Sequence, residues 1–117
     1  MKEAHFDPEK SVEIKVTSRS PHVVAYRLWS REPDGAWRRI GEGHTEDDQP
    51  GSHRIDPMPK NSEVAWWLGI GGNPGTSFRA LVTLGQDGVL LDGGTCLEEG
   101  RTNDEGVAQR EGSVILV

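Results

Sequence analysis

Apolar residues alternate with polar residues in several short runs of this chain, and this alternation constrains the fold more than any other feature. In Val12–Val16, and less strictly in Val64–Ile70, every second residue is apolar. An extended strand with this pattern buries one side and exposes the other. No stretch combines a 3.6-residue period with the capping residues of an amphipathic helix. The pattern therefore predicts a chain built of strands.

Turn-forming residues separate these runs. The 15 glycines and 7 prolines fall between the apolar runs, for example in Glu32–Gly35, Gly71–Gly75 and Gly85–Gly88. Proline presets φ and glycine accepts a positive φ, so such clusters turn the chain. Eight or nine short strands at this spacing predict an all-β fold, an antiparallel β-sandwich, with the rhythm of immunoglobulin-like and fibronectin-like domains. That rhythm bears on the fold and not on function.

The length of 117 residues is that of a single domain. Residues 1–10 are polar and aperiodic, so they predict a flexible N-terminal arm. Residues 11–117 predict one β-sandwich domain.

The charge balance excludes two classes of partner. Lys and Arg number 13 and Asp and Glu number 19, which gives a net charge of −6. Nucleic acids and anionic membrane surfaces require a basic footprint, so neither is expected.

The expected compartment is the cytoplasm. Met1–Pro8 lacks the apolar stretch of a signal peptide, and no run is long enough to span a membrane. Cys96 is the only cysteine, so the chain forms no internal disulfide. Export by another route stays open.

The first pair of strands, on either side of Glu32–Gly35, is predicted to form a hairpin. A three-residue loop places Leu28 opposite Ile40 and Trp29 opposite Arg39. Leu28 and Ile40 then face the core, because a shift of one residue would split the apolar face. Arg27 would lie opposite Gly41 and Arg31 would face Trp37. The outer face is predicted to carry Trp29, Trp37, Arg27, Arg31 and Arg39.

A second hairpin is predicted from Val64–Ile70 and Phe78–Leu84, with the turn at Gly71–Gly75. Trp67 and Leu81 fall outside the core alternation of their strands, so they are predicted to point outward and lie close together. The C-terminal residues 114–117 are apolar on both sides. They predict a strand that is buried on both sides or covered by a partner.

No motif indicates catalysis, and neither an enzyme nor a cofactor is predicted. The chain lacks a nucleophile elbow and a phosphate-binding loop. Carboxylates follow Cys96 and would raise its pKa, so the thiol is expected to be structural. The acidic loops 44–53 and 98–105 match no zinc or calcium spacing, so no metal is predicted, although the two loops leave that question open.

The four tryptophans outnumber the one tyrosine and two phenylalanines. Trp66 belongs to the core by its position in the alternation. The other three lie beside arginines, and indoles next to guanidinium groups suit sugar rings, peptides or a protein hot spot. In the structural alternative, loops cover these indoles or arginines stack over them, with about 0.5–1 kcal/mol for each exposed pair.

These observations support two hypotheses about function. In the first, the chain is a non-catalytic recognition domain that binds a carbohydrate or a protein surface. Its binding residues would be Trp29, Trp37, Trp67, Leu81, Arg27, Arg31 and Arg39. In the second, the chain is a structural or assembly subunit that forms a homo-oligomer through the same face and its C-terminal strand.

Overall fold

A computed structural model describes residues 2–46 and 49–117, which form nine strands and no helix. The strands are β1 (Glu3–Ala4), β2 (Val12–Ser18), β3 (Val23–Arg31), β4 (Arg38–Thr45), β5 (Gly51–Ile55), β6 (Glu63–Gly71), β7 (Ser77–Gln86), β8 (Val89–Arg101) and β9 (Val107–Leu116). Over these residues there is accordingly no helix long and apolar enough to cross a membrane.

The strands form two sheets packed face to face. The five-stranded sheet has the order β1-β9-β6-β3-β4, and the four-stranded sheet has the order β5-β2-β7-β8. Among the described strands, only the β1–β9 pairing is parallel. The prediction of an all-β, mainly antiparallel β-sandwich is confirmed.

The core lies between the two sheets, where the alternating apolar residues meet. Trp66 is only 3% exposed, so its predicted place in the core is confirmed. Its indole N–H donates a hydrogen bond to Glu98 Oε2 at 3.1 Å. Gly112 lies opposite Trp66 on β9, and a Cβ at that position would come within 2.6 Å of the indole. The missing side chain of Gly112 thus makes room for the largest residue of the core.

The predicted second hairpin is wrong. β6 pairs with β3 and β9, whereas β7 pairs with β2 and β8 in the other sheet. Residues 72–76 therefore carry the chain from one sheet to the other. The apolar sides of β6 and β7 face each other across the core instead of lying side by side. Trp67 and Leu81 consequently point outward from opposite sheets, and their predicted proximity is wrong.

The first hairpin contains a β-bulge that the sequence analysis does not predict. Trp29 pairs with Arg39 as predicted, but Leu28 pairs with Gly41 because the register shifts between Leu28 and Trp29. Ile40 is the extra residue and packs partly buried against the core. A bulge places two residues of one strand opposite one residue of the other. The same shift places Arg27 opposite Glu42 and not opposite Gly41.

The predicted N-terminal arm is wrong for residues 3–6. Glu3–Ala4 forms β1, which pairs in parallel with the end of β9, and the Ala4 side chain is fully buried. The backbone N–H of His5 donates to the carbonyl of Asp92 at 2.9 Å, and that of Phe6 donates to the carbonyl of Val117 at 3.1 Å. These contacts attach the segment to the edge of the sandwich.

The C-terminal strand is buried on its inner side and paired at both edges near its end. Val114 and Leu116 are fully buried in the core. β6 pairs with one edge of β9, and β1 pairs with the other edge at Ile115 and Leu116. Two of the four apolar residues thus find cover within the molecule, whereas Ile115 and Val117 stay partly exposed.

Candidate functional site

The outer face of the five-stranded sheet carries tryptophans and arginines in neighbouring positions. On β3, Arg27, Trp29 and Arg31 point outward, because the intervening Leu28 and Ser30 are buried. Pairing with β4 and β6 adds two side chains, and the residue before β4 adds a third. We call this surface the Trp/Arg face, and it consists of Arg27, Trp29, Arg31, Trp37, Arg39 and Trp67.

Each indole on this face lies beside one guanidinium group. The distance from Cζ to the ring centre is 5.2 Å for Arg27 and Trp67, 4.5 Å for Arg31 and Trp37, and 5.1 Å for Arg39 and Trp29. Separations below about 6 Å give cation–π attraction, worth about 0.5–1 kcal/mol at exposed sites. The stacking considered as the structural alternative is therefore present. It fixes the side chains of the face relative to one another.

Two of the three guanidinium groups also form ion pairs. Arg31 Nη2 lies 3.0 Å from Glu63 Oε1, and Arg39 Nη1 lies 3.3 Å from Glu42 Oε2. Arg27 has no ion-pair partner among the described residues. Glu111 is exposed and lies opposite Trp67 on β9, and it too is unpaired in the described part of the chain. The two strands beside Trp67 thus carry one arginine and one glutamate that form no ion pair with any described residue.

A shallow groove of about 510 Å³ opens on the Trp/Arg face. Its small lining residues, Ala65 and Ser113, face each other on β6 and β9. All three outer indoles line it as well; Trp37 is 42% exposed, and Trp29 and Trp67 are partly buried. Small-molecule sites commonly have volumes of about 300–1,000 Å³, so the groove is large enough for such a ligand.

The structure brings together six of the seven predicted binding residues. Leu81 is the exception, because it lies on the outer face of the four-stranded sheet opposite Leu97. Its inclusion in the site is wrong, and the cause is the mistaken β6–β7 hairpin.

The sequence alone does not bring the β9 residues to this face. Glu111 and Ser113 reach the groove because β9 pairs with β6. Only the alternation within β9 could have indicated which of its residues point outward. That alternation is interrupted by Gly112 and by several polar residues.

No described residue of the acidic loops 44–53 and 98–105 lines the groove. Asp47 and Asp48 lie outside the described residues, so the prediction for loop 44–53 stays a prediction. In the described ranges no group of three or more His, Cys, Asp or Glu side chains is placed to hold a metal ion. His53 contacts Tyr26, with Nε2 lying 2.7 Å from the phenolic oxygen.

Cys96 is fully buried, and this burial raises the pKa of its thiol. The thiolate form that nucleophilic chemistry requires is therefore disfavoured.

Comparison with known proteins gives one informative match. No family model matches the chain, and no curated protein does. A solved structure with a similar fold is a domain of unknown function, DUF4425, from Bacteroides vulgatus. It is 11% identical, with a TM-score of 0.54, over 93% of this chain and 96% of that one. At this identity the similarity shows the fold alone.

Proposed function

We propose that this chain is a non-catalytic recognition domain that binds a carbohydrate or a protein surface through the Trp/Arg face. One observation carries the proposal: every described tryptophan, tyrosine or phenylalanine that does not pack in or against the core lies on this face. Tyr26, Trp66 and Phe78 are buried, and Phe6 packs partly buried against the core. The three remaining aromatic residues are gathered around one groove.

The chemistry of the face suits binding. Tryptophan and arginine are enriched among residues that dominate binding energy. Because each indole stacks with a guanidinium, the side chains are already ordered before a partner arrives. Less conformational entropy is then lost on binding.

The proposal also covers the excluded partners and the cellular compartment. The net charge of −6 opposes nucleic acids and anionic membranes as partners. The compartment proposed is the cytoplasm, where a lone thiol such as Cys96 stays reduced.

Self-association is the alternative function, and the fold bears on which surface it would use. Val114 and Leu116 are buried and β1 occupies the edge beside them, which leaves the partly exposed Ile115 and Val117 as the apolar side chains that residues 114–117 offer to a second copy. The Trp/Arg face is therefore the surface that we propose for a homo-oligomer. The recognition function and the assembly function then predict different partners for the same residues.

A binding screen with matched variants tests the proposal. The wild-type domain, Trp29→Ala, Trp67→Ala and the control Leu97→Ala would be compared against immobilised polysaccharides and a displayed peptide library. Light scattering over a concentration series would detect a second copy. Leu97 is exposed on the opposite sheet and serves as a control for a lost apolar side chain.

We expect binding to a polysaccharide or a peptide, with the affinity falling about tenfold or more in both tryptophan variants and unchanged in Leu97→Ala. Circular dichroism would confirm that each variant is folded. Binding that survives both tryptophan substitutions would contradict the proposal.

A further inference from the structure

We infer that the ligand of the groove is a neutral oligosaccharide, recognised by contact with the indoles that line the groove and by hydrogen bonds between its hydroxyl groups and the side chains of Arg27 and Glu111. This inference rests on the proposed recognition function and adds the chemical class of the ligand. It follows from the pattern of donors and acceptors, the charge balance and the lining of the groove.

The unpaired polar groups around Trp67 differ in what they can bind. Arg27, Trp67 and Glu111 are cross-strand neighbours on β3, β6 and β9. Since adjacent strands lie about 4.8 Å apart, the Cα atoms of Arg27 and Glu111 are about 10 Å apart, with Trp67 on the strand between them. A guanidinium only donates hydrogen bonds and a carboxylate only accepts them, whereas a hydroxyl does both. A ring bearing hydroxyls on its edge can therefore satisfy both groups while its C–H groups contact the part of the indole that Arg27 leaves open.

The charges around the groove favour a neutral ligand. Three guanidinium groups face three carboxylates: Arg27, Arg31 and Arg39 with Glu42, Glu63 and Glu111. A polyanion would be attracted by the arginines and repelled by the glutamates, and a polycation the reverse. The electrostatic complementarity of either one with the face is therefore weak. Either one would also compete with the Arg31–Glu63 pair, whose carboxylate side chain is only 15% exposed. Hydroxyl groups can bind these ion pairs without breaking them.

The lining of the groove leaves room for a ring. Ala65 lies opposite both Trp29 and Ser113, so the sheet between the tryptophans carries only small side chains. The Ser113 hydroxyl forms no hydrogen bond with any described residue, which leaves it available to a ligand. A larger residue at position 65 would fill this space, and Ala65→Leu is expected to block the groove without removing any indole.

Affinity electrophoresis with defined polysaccharides tests the inference. The neutral probes are glycogen, mixed-linkage β-glucan, xylan and mannan, and the acidic probes are polygalacturonate and alginate. We expect at least one neutral polysaccharide to retard the domain and neither acidic one to do so. Retardation should change little between about 50 and 500 mM salt, because salt screens attraction between charges and a neutral polysaccharide carries none.

Variants connect the binding to the named residues. Glu111→Gln removes one charged acceptor from an exposed side chain, and Ala65→Leu fills the groove. Each should lower the affinity for the neutral polysaccharide about tenfold. Leu97→Ala is the control on the opposite sheet and should bind as the wild type does. Thermal melts of all variants would establish that they are folded.

The outcomes separate this inference from the function on which it rests. Retardation by acidic probes alone, or by none of the six, overturns the neutral-oligosaccharide ligand. If a displayed peptide or a second copy binds instead, and Trp29→Ala abolishes that binding, the ligand class is wrong and the recognition face stands. If no probe, peptide or second copy binds, both proposals fail.

Discussion

Replacing Leu28 and Trp37 in turn tests whether the first hairpin presents its tryptophans to solvent. Leu28 is fully buried at the centre of β3, whereas Trp37 is 42% exposed and contacts Arg31 just before β4. The two residues belong to the same hairpin but to opposite sides of the five-stranded sheet. Their truncation should therefore have very different effects on stability.

The expected magnitudes follow from these environments. Leu28→Ala removes buried methyl groups and leaves a cavity between two packed sheets, so it should lower the free energy of unfolding by about 2–5 kcal/mol. Trp37→Ala leaves no enclosed cavity. It loses one exposed cation–π contact and some surface packing, for a total of about 1–1.5 kcal/mol.

Urea unfolding followed by far-UV circular dichroism measures both values without relying on tryptophan fluorescence. Equal m values among the variants would show that the change in midpoint reflects stability alone. A greater loss for Trp37→Ala than for Leu28→Ala would mean that the indole is part of the core. The side of the hairpin that carries the tryptophans would then face the core, and the groove could not be a binding site.

Three further predictions concern groups inside the sandwich. Gly51→Ala should lower the free energy of unfolding by about 1–3 kcal/mol, because a Cβ there collides with the Tyr26 hydroxyl and breaks its contact with His53. Gly71→Ala is the control: its Cβ meets open space, so the same urea titration should show no change in stability. Burial raises the pKa of Tyr26, so the unfolded chain deprotonates first and stability should fall as the pH rises above about 10. Because Tyr26 is the only tyrosine, absorbance titration of the native protein should show a midpoint above that of the denatured protein, and an equal midpoint would contradict its burial. The buried thiol of Cys96 should react with a thiol reagent at about pH 8 far more slowly in the native than in the denatured protein, and rapid native labelling would show that β8 is open.

The direction of each side chain could be predicted from the sequence because it is a local property. Alternate residues of a strand point to opposite sides, so the pattern placed Trp66 inside and Trp29, Trp37 and Trp67 outside. The structure has all four in those positions.

The assignment of strands to sheets could not be predicted in the same way. β6 and β7 have inward apolar faces whether they lie side by side or oppose each other across the core, and residues 72–76 permit both arrangements. The position of Leu81 depended on that choice. Likewise, nothing in the residues around Ile40 marks a bulge, and the approach of Glu111 to Trp67 depends on the pairing of two strands that are not consecutive in the sequence.

The pairing of β1 with β9 has a consequence for the order in which the molecule can form. Glu3 pairs with Ile115, so this contact joins residues from opposite ends of the sequence. Closing so long a loop carries a large entropic penalty, and contacts of this kind slow folding. During synthesis on the ribosome, β1 emerges long before its partner strand and must stay unpaired until β9 has been made.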